Sequence, residues 1–597
     1  MFSWPLSGYL NTGIGHQAVL LGVFMLFQGK KKSLILRFLP FIGAGFWAAY
    51  SASPPPPDLP VPSANQMAWQ LGELTLFTHF GLQTYTGTNL ANGTGDSTLF
   101  NPTQFDPNEW VAAAKAGGFK GIVMTCKHEE GYCLWQTKTT NYSVAESPWE
   151  GGKGDVVKDV SAAFHAAGLR FGVYLSVWDQ HYQHYGAAER VNYPTYGAYY
   201  LAQLKENFTN YGEIDEVWFD GNGADSMQMT NADWQMIYDT VVTLCPNAVI
   251  FQGWAKDSMH VTVRWPNNEN GDAGDPDWGY RPPPGTNLIP SDTAQWNPAE
   301  ADVTLQGNWF YNNTPIATLS QIQSIFLTSV GRGGVGLYNI APNKLGLIDS
   351  ASIAVLGKFN GWVDSIYGSN LSLGATAKGS TVRGNDSTFS ASNAIDTSFS
   401  TYWAPDSFAL GKPDTLTVTL AKLDTIRMFI LQEYIPLGQR VGAFNIQTYN
   451  GSKWSTAFSG GTTIGYKRII QLTTPVSASA ARLIITSTLP TPCISTFALI
   501  GNHDLLTGTV PKKEKYSGVS AVKISVMNAG TLLCSMPALG NAGLQLISMN
   551  GKKLDLQPIG TAAGALEFSL PSHSPGIFFV RALLNGHEVG HRVLLLQ

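Results

Sequence analysis

Residues 214–221 read Ile-Asp-Glu-Val-Trp-Phe-Asp-Gly. An apolar run stops at Asp220, and Gly221 follows at once. Val217-Trp218-Phe219 has the residue types of a strand buried on both faces. Asp220 then stands at the C-terminal tip of that strand, and in a parallel β/α barrel such tips line the active site. The same layout also suits a loop Asp that caps the following helix, so the neighbouring segments must decide.

Further runs of the same kind lie on either side. Leu74–Phe80, Gly121–Lys127, Arg170–Ser176, Ala248–Gly253 and Gly334–Ile340 are predominantly apolar. Helical patterns fall between them. Pro107–Ala116 follows Asp106 and stops before Gly117-Gly118. Asp155–Ala167 stops at Gly168, and Tyr199–Tyr211 and Asn231–Cys245 continue the alternation. Repeated strand–helix units predict an α/β chain, a (β/α) TIM-like barrel over 66–365. The rival is a doubly wound sheet, but no Gly-x-Gly-x-x-Gly turn supports dinucleotide binding. After about Gly368 helical periodicity fades. Thr415–Leu420, Arg427–Gln432, Gly442–Thr448, Arg468–Leu472 and Ala481–Thr486 read as strands of an all-β sandwich over 366–505. A strand-like accessory β-domain is expected over 506–597.

The N-terminal region differs from both. Lys30-Lys31-Lys32 precede the apolar run Ser33–Ala49, and small residues follow. That is the order of a secretory signal, and residues 1–52 are read as a signal peptide or, if uncleaved, a signal anchor. A Pro-rich linker occupies 53–65. Secreted or extracellular placement is therefore expected, with membrane anchoring through 18–50 as the alternative. Sequons at Asn92, Asn141, Asn207, Asn312, Asn370, Asn385 and Asn450 fit a secreted glycoprotein. The formal charge of −5 gives no basic footprint for nucleic acid. Five cysteines without a Cys-x-x-Cys pair argue against structural zinc.

The strand ends carry the chemistry. They lead to His79-Phe80-Gly81, to Lys127-His128-Glu129-Glu130, to Trp178-Asp179-Gln180-His181, to Asp220, and through a loop to Arg264-Trp265 and Glu269. Each alone has a plain structural reading, but five in succession at one end of a barrel describe a pocket. Carboxylates, imidazoles and many tryptophans together suit sugar chemistry, and glycoside hydrolysis needs two carboxyl groups with different tasks.

Phe77-Thr-His-Phe-Gly81, Lys127-His128 through Gly131-Tyr-Cys-Leu-Trp135, Gly152-Lys-Gly-Asp155, Tyr174-Leu-Ser-Val-Trp-Asp179 and Val217-Trp-Phe-Asp-Gly221 resemble the family 29 glycoside hydrolases, the α-L-fucosidases. Arg264-Trp265 with Asn268-Glu269, Asn308-Trp-Phe-Tyr311 and Ser329-Val-Gly-Arg332 extend the resemblance, which is closest to the plant-like 1,3/1,4-linkage branch. Tyr402-Trp-Ala-Pro405, Leu431-Gln-Glu433 and Leu437-Gly-Gln-Arg-Val441 resemble the discoidin-like β-sandwich of that branch.

The resemblance implies a retaining exo-α-L-fucosidase acting by double displacement on fucosylated oligosaccharides or glycoprotein glycans, without a cofactor or metal. Asp220 would be the nucleophile and Glu269 the general acid and base. His79, His128 and Trp135 would serve sugar binding, Trp178 and Asp179 would shape the pocket wall, Trp309 would pack on the sugar, and Arg264 would orient a carboxylate. Two departures stand out. Glu129 occupies the place of a second sugar-binding His, and the Glu-Trp pair usual in the family is missing near Ala91-Asn92. They leave open a glycan-binding protein on the same scaffold, or an exo-glycosidase with altered glycone specificity.

Overall fold

The strand ends fix the geometry of the site. The computed structural model describes residues 52–89, 92–189, 192–252, 260–281, 295–406 and 412–501, with C-terminal strands between Lys523 and Leu596. The expected leader, Ala52 excepted, lies outside the described residues, and so does Ala91. Among the described residues no helix is long and apolar enough to cross a membrane.

Seven parallel strands form the first sheet: β1 (Leu74–Thr78), β2 (Gly121–Lys127), β3 (Arg170–Leu175), β4 (Glu216–Phe219), β5 (Val249–Gln252), β6 (Glu300–Thr304) and β7 (Val335–Asn339). Their order is β5-β4-β3-β2-β1-β7-β6. Phe251 of β5 bridges Val263, and Arg264 bridges Ala299 beside β6, both in parallel, so a two-residue segment joins the sheet's edges. Every residue of β1, β2, β4 and β5 is buried. That explains their predominantly apolar sequence, because helices cover the outer face and side chains fill the inner one.

Alternation sorts the side chains. Phe77, Val123, Tyr174, Trp218, Val249, Phe251, Val335 and Leu337 form one inner cluster. Phe219 falls on the other face and meets Trp234 of the helix Asn231–Leu244 edge-on at 5.9 Å. Glu216, Trp218 and Asp220 therefore share the inward face of one chain segment. Trp69, from the helix Ala64–Gln70, donates its indole N–H to Glu216 Oε2 at 2.9 Å. Trp218 donates likewise to Glu300 Oε2 at 3.1 Å. Strand β6 was not among the strands expected from sequence, because Glu300 and Asp302 make it look exposed. Both are buried.

The helices begin where their caps predict. Asp106 accepts from Asn108 N with Pro107 at the first helical position, and Asp155 accepts from Lys158 N. Gly223 precedes the short 3-10 turn Ala224–Met227 after β4, and Thr230 caps the helix Asn231–Leu244; Asp220 caps neither. The capping alternative for Asp220 is thereby removed.

The second domain is antiparallel. Thr376–Gly379, Asp414–Glu433, Arg468–Thr488, Val441–Tyr449 and Trp454–Gly461 neighbour one another in that order, and Ile494–Ile500 pairs with Asp414–Glu433. Each of the two longest strands joins two runs that the sequence separates. Register shifts between Thr419 and Asp424, and between Ile426 and Met428, mark the joins. Alternate residues Leu416, Val418, Phe429, Leu431, Leu483, Ile485, Phe497 and Leu499 build the sandwich core. Farther on, eight strands form two four-stranded antiparallel sheets.

Two further expectations meet the structure here. Cys126, Cys133, Cys245 and Cys493 are buried free thiols. Of the sequons, Asn207 is fully buried and donates its amide to Gln203 O at 3.0 Å, so the folded chain cannot carry a glycan there.

Candidate active site

At the C-terminal end of the strands lies a cavity of about 390 Å³. Phe77, His79, Asn89, His128, Glu129, Tyr174, Trp218, Asp220, Asn222, Phe251, Trp265, Glu269, Asp302 and Trp309 line it. The inner aromatic residues are in register: Tyr174 pairs with Trp218, and Trp218 with Phe251. Their rings stack in sequence, Tyr174 on Trp218 at 4.9 Å and Trp218 on Phe251 at 4.1 Å, and His128 lies parallel to Tyr174 at 5.5 Å. The result is an apolar wall of the kind that packs against the C–H face of a pyranose.

Asp220 is held as an acceptor. Tyr174 donates its hydroxyl to Oδ2 at 2.7 Å, and Asn222 donates its backbone N–H to Oδ1 at 2.9 Å. Burial raises its pKa, while these two bonds pull it back down. Glu269 reaches the same cavity from the loop after Trp265. Burial and then the charge of Asp220 raise its pKa, and a hydrogen bond from Trp309 opposes them. Asp220 thus accepts two hydrogen bonds that favour its ionised form, and its charge opposes ionisation of Glu269.

Glu129 is the third carboxyl group. Its Oε1 accepts from Asn222 Nδ2 at 2.7 Å, so Asn222 holds Glu129 and Asp220 together. Burial, then the charge of Asp220, lifts Glu129 to about 7. Glu129 accepts one hydrogen bond and Asp220 two, so less opposes a proton on Glu129. Asp302 is the fourth. It accepts from Trp265 Nε1 at 3.0 Å, and burial and the charge of Glu269 push its pKa well up.

The two imidazoles have opposite polarity. Asn339 donates its amide to Trp309 O at 2.8 Å, which leaves Asn339 Oδ1 as acceptor for His79 Nδ1 at 2.8 Å. His79 thus carries its proton on Nδ1 and offers Nε2 as an acceptor. Gln83 Nε2 donates to Asn89 O at 2.7 Å and lies 3.2 Å from His128 Nδ1. His128 therefore accepts on Nδ1 and offers Nε2–H as a donor. Burial keeps both rings neutral, His79 with a pKa of about 3.

Of the residues proposed from sequence, Asp220, Glu269, His79, His128, Glu129 and Trp309 are brought together. Four others stand outside the cavity lining. Trp135 is fully buried and donates to Glu206 Oε2 at 2.8 Å. Trp178 donates to Gln183 Oε1 at 3.0 Å and packs against Gly223, where a Cβ would sit 2.1 Å from its ring. It supports the loop bearing Asn222. Asp179 is spent on Lys127 Nζ, at 2.9 Å with both side chains buried, and on Tyr182 N at 2.8 Å. Arg264 does meet a carboxylate, but it is Asp277.

Phe77, Asn89, Tyr174, Trp218, Asn222, Phe251, Trp265 and Asp302 also line the cavity, beyond the site residues proposed from sequence. Two-residue alternation back from Asp220 and His79 would have found Trp218 and Phe77. Nothing in the sequence marks Asn222 or Asp302.

The alpha-L-fucosidase family model matches residues 66–368, and the F5/8 type C domain model matches 375–498. Alpha-L-fucosidase 1 of Arabidopsis thaliana is 34% identical over 466 residues, covering 74% of this chain and 88% of that protein. The crystal structure of SpGH29 superposes with a TM-score of 0.68 at 33% identity, covering 75% of this chain and 100% of the other. The Ruminococcus gnavus GH29 fucosidase in complex with fucose gives a TM-score of 0.68 at 26% identity, covering 76% and 98%.

Proposed function

This chain belongs to the alpha-L-fucosidase family, and from that premise we propose that it is a retaining exo-α-L-fucosidase working through Asp220 and Glu269. One observation carries the reading: the two carboxyl groups line a single cavity, and Asp220 raises the pKa of Glu269. A cavity of this size lies near the lower end of the roughly 300–1,000 Å³ typical of small-ligand pockets. It suits one terminal sugar better than a stretch of polysaccharide.

In the first step an oxygen of Asp220 attacks the anomeric carbon while Glu269 gives its proton to the glycosidic oxygen. The C–O bond to the aglycone breaks, and a glycosyl ester forms on Asp220. In the second step the Glu269 carboxylate takes a proton from water. The water oxygen attacks the anomeric carbon, and Asp220 leaves as carboxylate. His79 Nε2 and His128 Nε2–H would accept from and donate to sugar hydroxyls. Trp309 would pack on the ring, and Glu129 would hold the proton that Asp220 must not. The protein would act on fucosylated oligosaccharides or glycoprotein glycans, and residues 1–52, read as a signal peptide or an uncleaved anchor, would send it to the secretory pathway or hold it at a membrane.

Proton NMR of aryl α-L-fucoside hydrolysis tests the reading. α-L-Fucose is expected to form first and mutarotate afterwards; β-L-fucose as the first product, or no hydrolysis, would refute it. Tyr174→Phe is a finer check. A hydrogen bond to a charged group contributes about 1.5–3 kcal/mol, so kcat/KM should fall by roughly 10- to 100-fold. The acid limb of the pH profile should move up, because Asp220 loses a bond that favours its ionised form. An unchanged profile would mean Tyr174 does not tune Asp220.

A further inference from the structure

Glu269 lies on a loop that leaves the barrel at Arg264 and does not end within it. The barrel itself holds the near part. Gly271 N donates to Asp302 O at 3.0 Å, Ala273 N to Thr328 O at 3.0 Å, and Arg332 pairs with Asp272 at 2.6 Å. Arg264 reaches across to Asp277 and ties the two ends of the loop together.

The far part is held by the sandwich. Arg468 donates to Asp275 Oδ2 at 2.6 Å, and Thr462 donates to its other oxygen. Asp277 N donates to Thr463 Oγ1 at 3.1 Å. Gln439 grips two points, donating from Nε2 to Asp277 O at 2.9 Å and accepting from Gly279 N at 2.6 Å. Gln439 and Asp277 are buried, so the bonds they make are shielded from water, whereas Asp275 meets Arg468 and Thr462 at the surface. All of these bonds go to one short segment, and that segment anchors the loop carrying Glu269.

We infer that the β-sandwich is a positioning element of the active site: through Arg468, Thr463 and Gln439 it clamps residues 275–279 and so fixes Glu269 for proton transfer. The inference rests on the assignment of Glu269 as the general acid. It gives the second domain a task in the reaction without requiring it to bind sugar. The physical basis is that proton transfer needs heavy atoms within hydrogen-bond reach, so a loosened acid loses rate steeply with small displacement.

Arg468→Ala and Gln439→Ala separate positioning from mere stability, since Gln439→Ala removes no charge and guards against a misfolded Arg468 variant. Aryl α-L-fucosides of differing leaving-group pKa are the substrates. Poor leaving groups, which need the acid, should lose about 10- to 100-fold in kcat/KM, and good ones less than about threefold. Adding Arg468→Ala to Glu269→Ala should cost little more than Glu269→Ala alone. Equal losses on all leaving groups, additive losses, or no loss would overturn the inference. Amide exchange supplies a readout independent of turnover. Residues 265–274 should exchange faster in both variants; acceleration confined to 275–279 would overturn the clamp. If the wild type hydrolyses no fucoside yet residues 265–274 loosen, the clamp stands and the functional reading fails.

Discussion

Asp220→Gly is expected to lower kcat for an aryl α-L-fucoside by about 10³- to 10⁵-fold, because the proposed double displacement loses its covalent route. The fold should survive. Asp220 lies beyond the last residue of β4, and its partners Tyr174 and Asn222 are held elsewhere, Tyr174 by stacking between His128 and Trp218. Glycine leaves a space where the carboxylate stood, next to the anomeric carbon. Azide entering that space should restore part of the rate and yield β-fucosyl azide, since the anion attacks from the face that Asp220 used. A variant that keeps more than about one tenth of the wild-type rate would rule out Asp220 as nucleophile.

Asp179→Ala should act on stability instead. Lys127 and Asp179 are both buried, and their contact of 2.9 Å has one other polar supporter, Gln203 Oε1 at 2.9 Å from Lys127 Nζ. Removing Asp179 leaves a buried cation without its counter-charge, a change that costs about 3–5 kcal/mol. It also takes the bond to Tyr182 N from the start of the helix Gln180–Glu189. Urea unfolding should show the loss as a lower midpoint. At temperatures where the variant stays folded, kcat should remain within about tenfold of wild type, because Asp179 does not line the cavity. A large loss of kcat with unchanged stability would return Asp179 to the pocket wall.

These two aspartates show what was legible. Both follow a strand end, and the position of a strand tip tells which end of the barrel a residue occupies. It does not tell which way the side chain turns once strict alternation lapses. Asp220 continues the inward face of Glu216 and Trp218, so its place could be read. Asp179 stands four residues past β3, where alternation has lapsed, and only the structure shows it turned toward Lys127. The same difficulty divides Arg264 from Trp265: the Trp faces the cavity and the Arg fastens the loop. Trp135 fits the family pattern and still ends in the helix layer, bonded to Glu206.

Strand β6 was hidden for a different reason. A strand written Glu-Ala-Asp-Val-Thr looks solvated until its acids are found inside the barrel, Glu300 bonded by Trp218 and Asp302 by Trp265. Local pattern cannot supply the partners that make a buried carboxyl tolerable. Glu129 illustrates the converse. Its presence beside His128 was plain from sequence, but its link to Asp220 through Asn222 depends on a contact spanning 93 residues.

Double displacement as proposed requires a covalent sugar ester on Asp220. A 2-fluoro-fucosyl substrate with a good leaving group slows breakdown of that ester and lets it accumulate. Peptide mass spectrometry after brief exposure should place the fluorosugar on the peptide containing Asp220. Label on Glu129 or Glu269, or turnover with no label on any carboxyl group, would exclude Asp220 as the nucleophile.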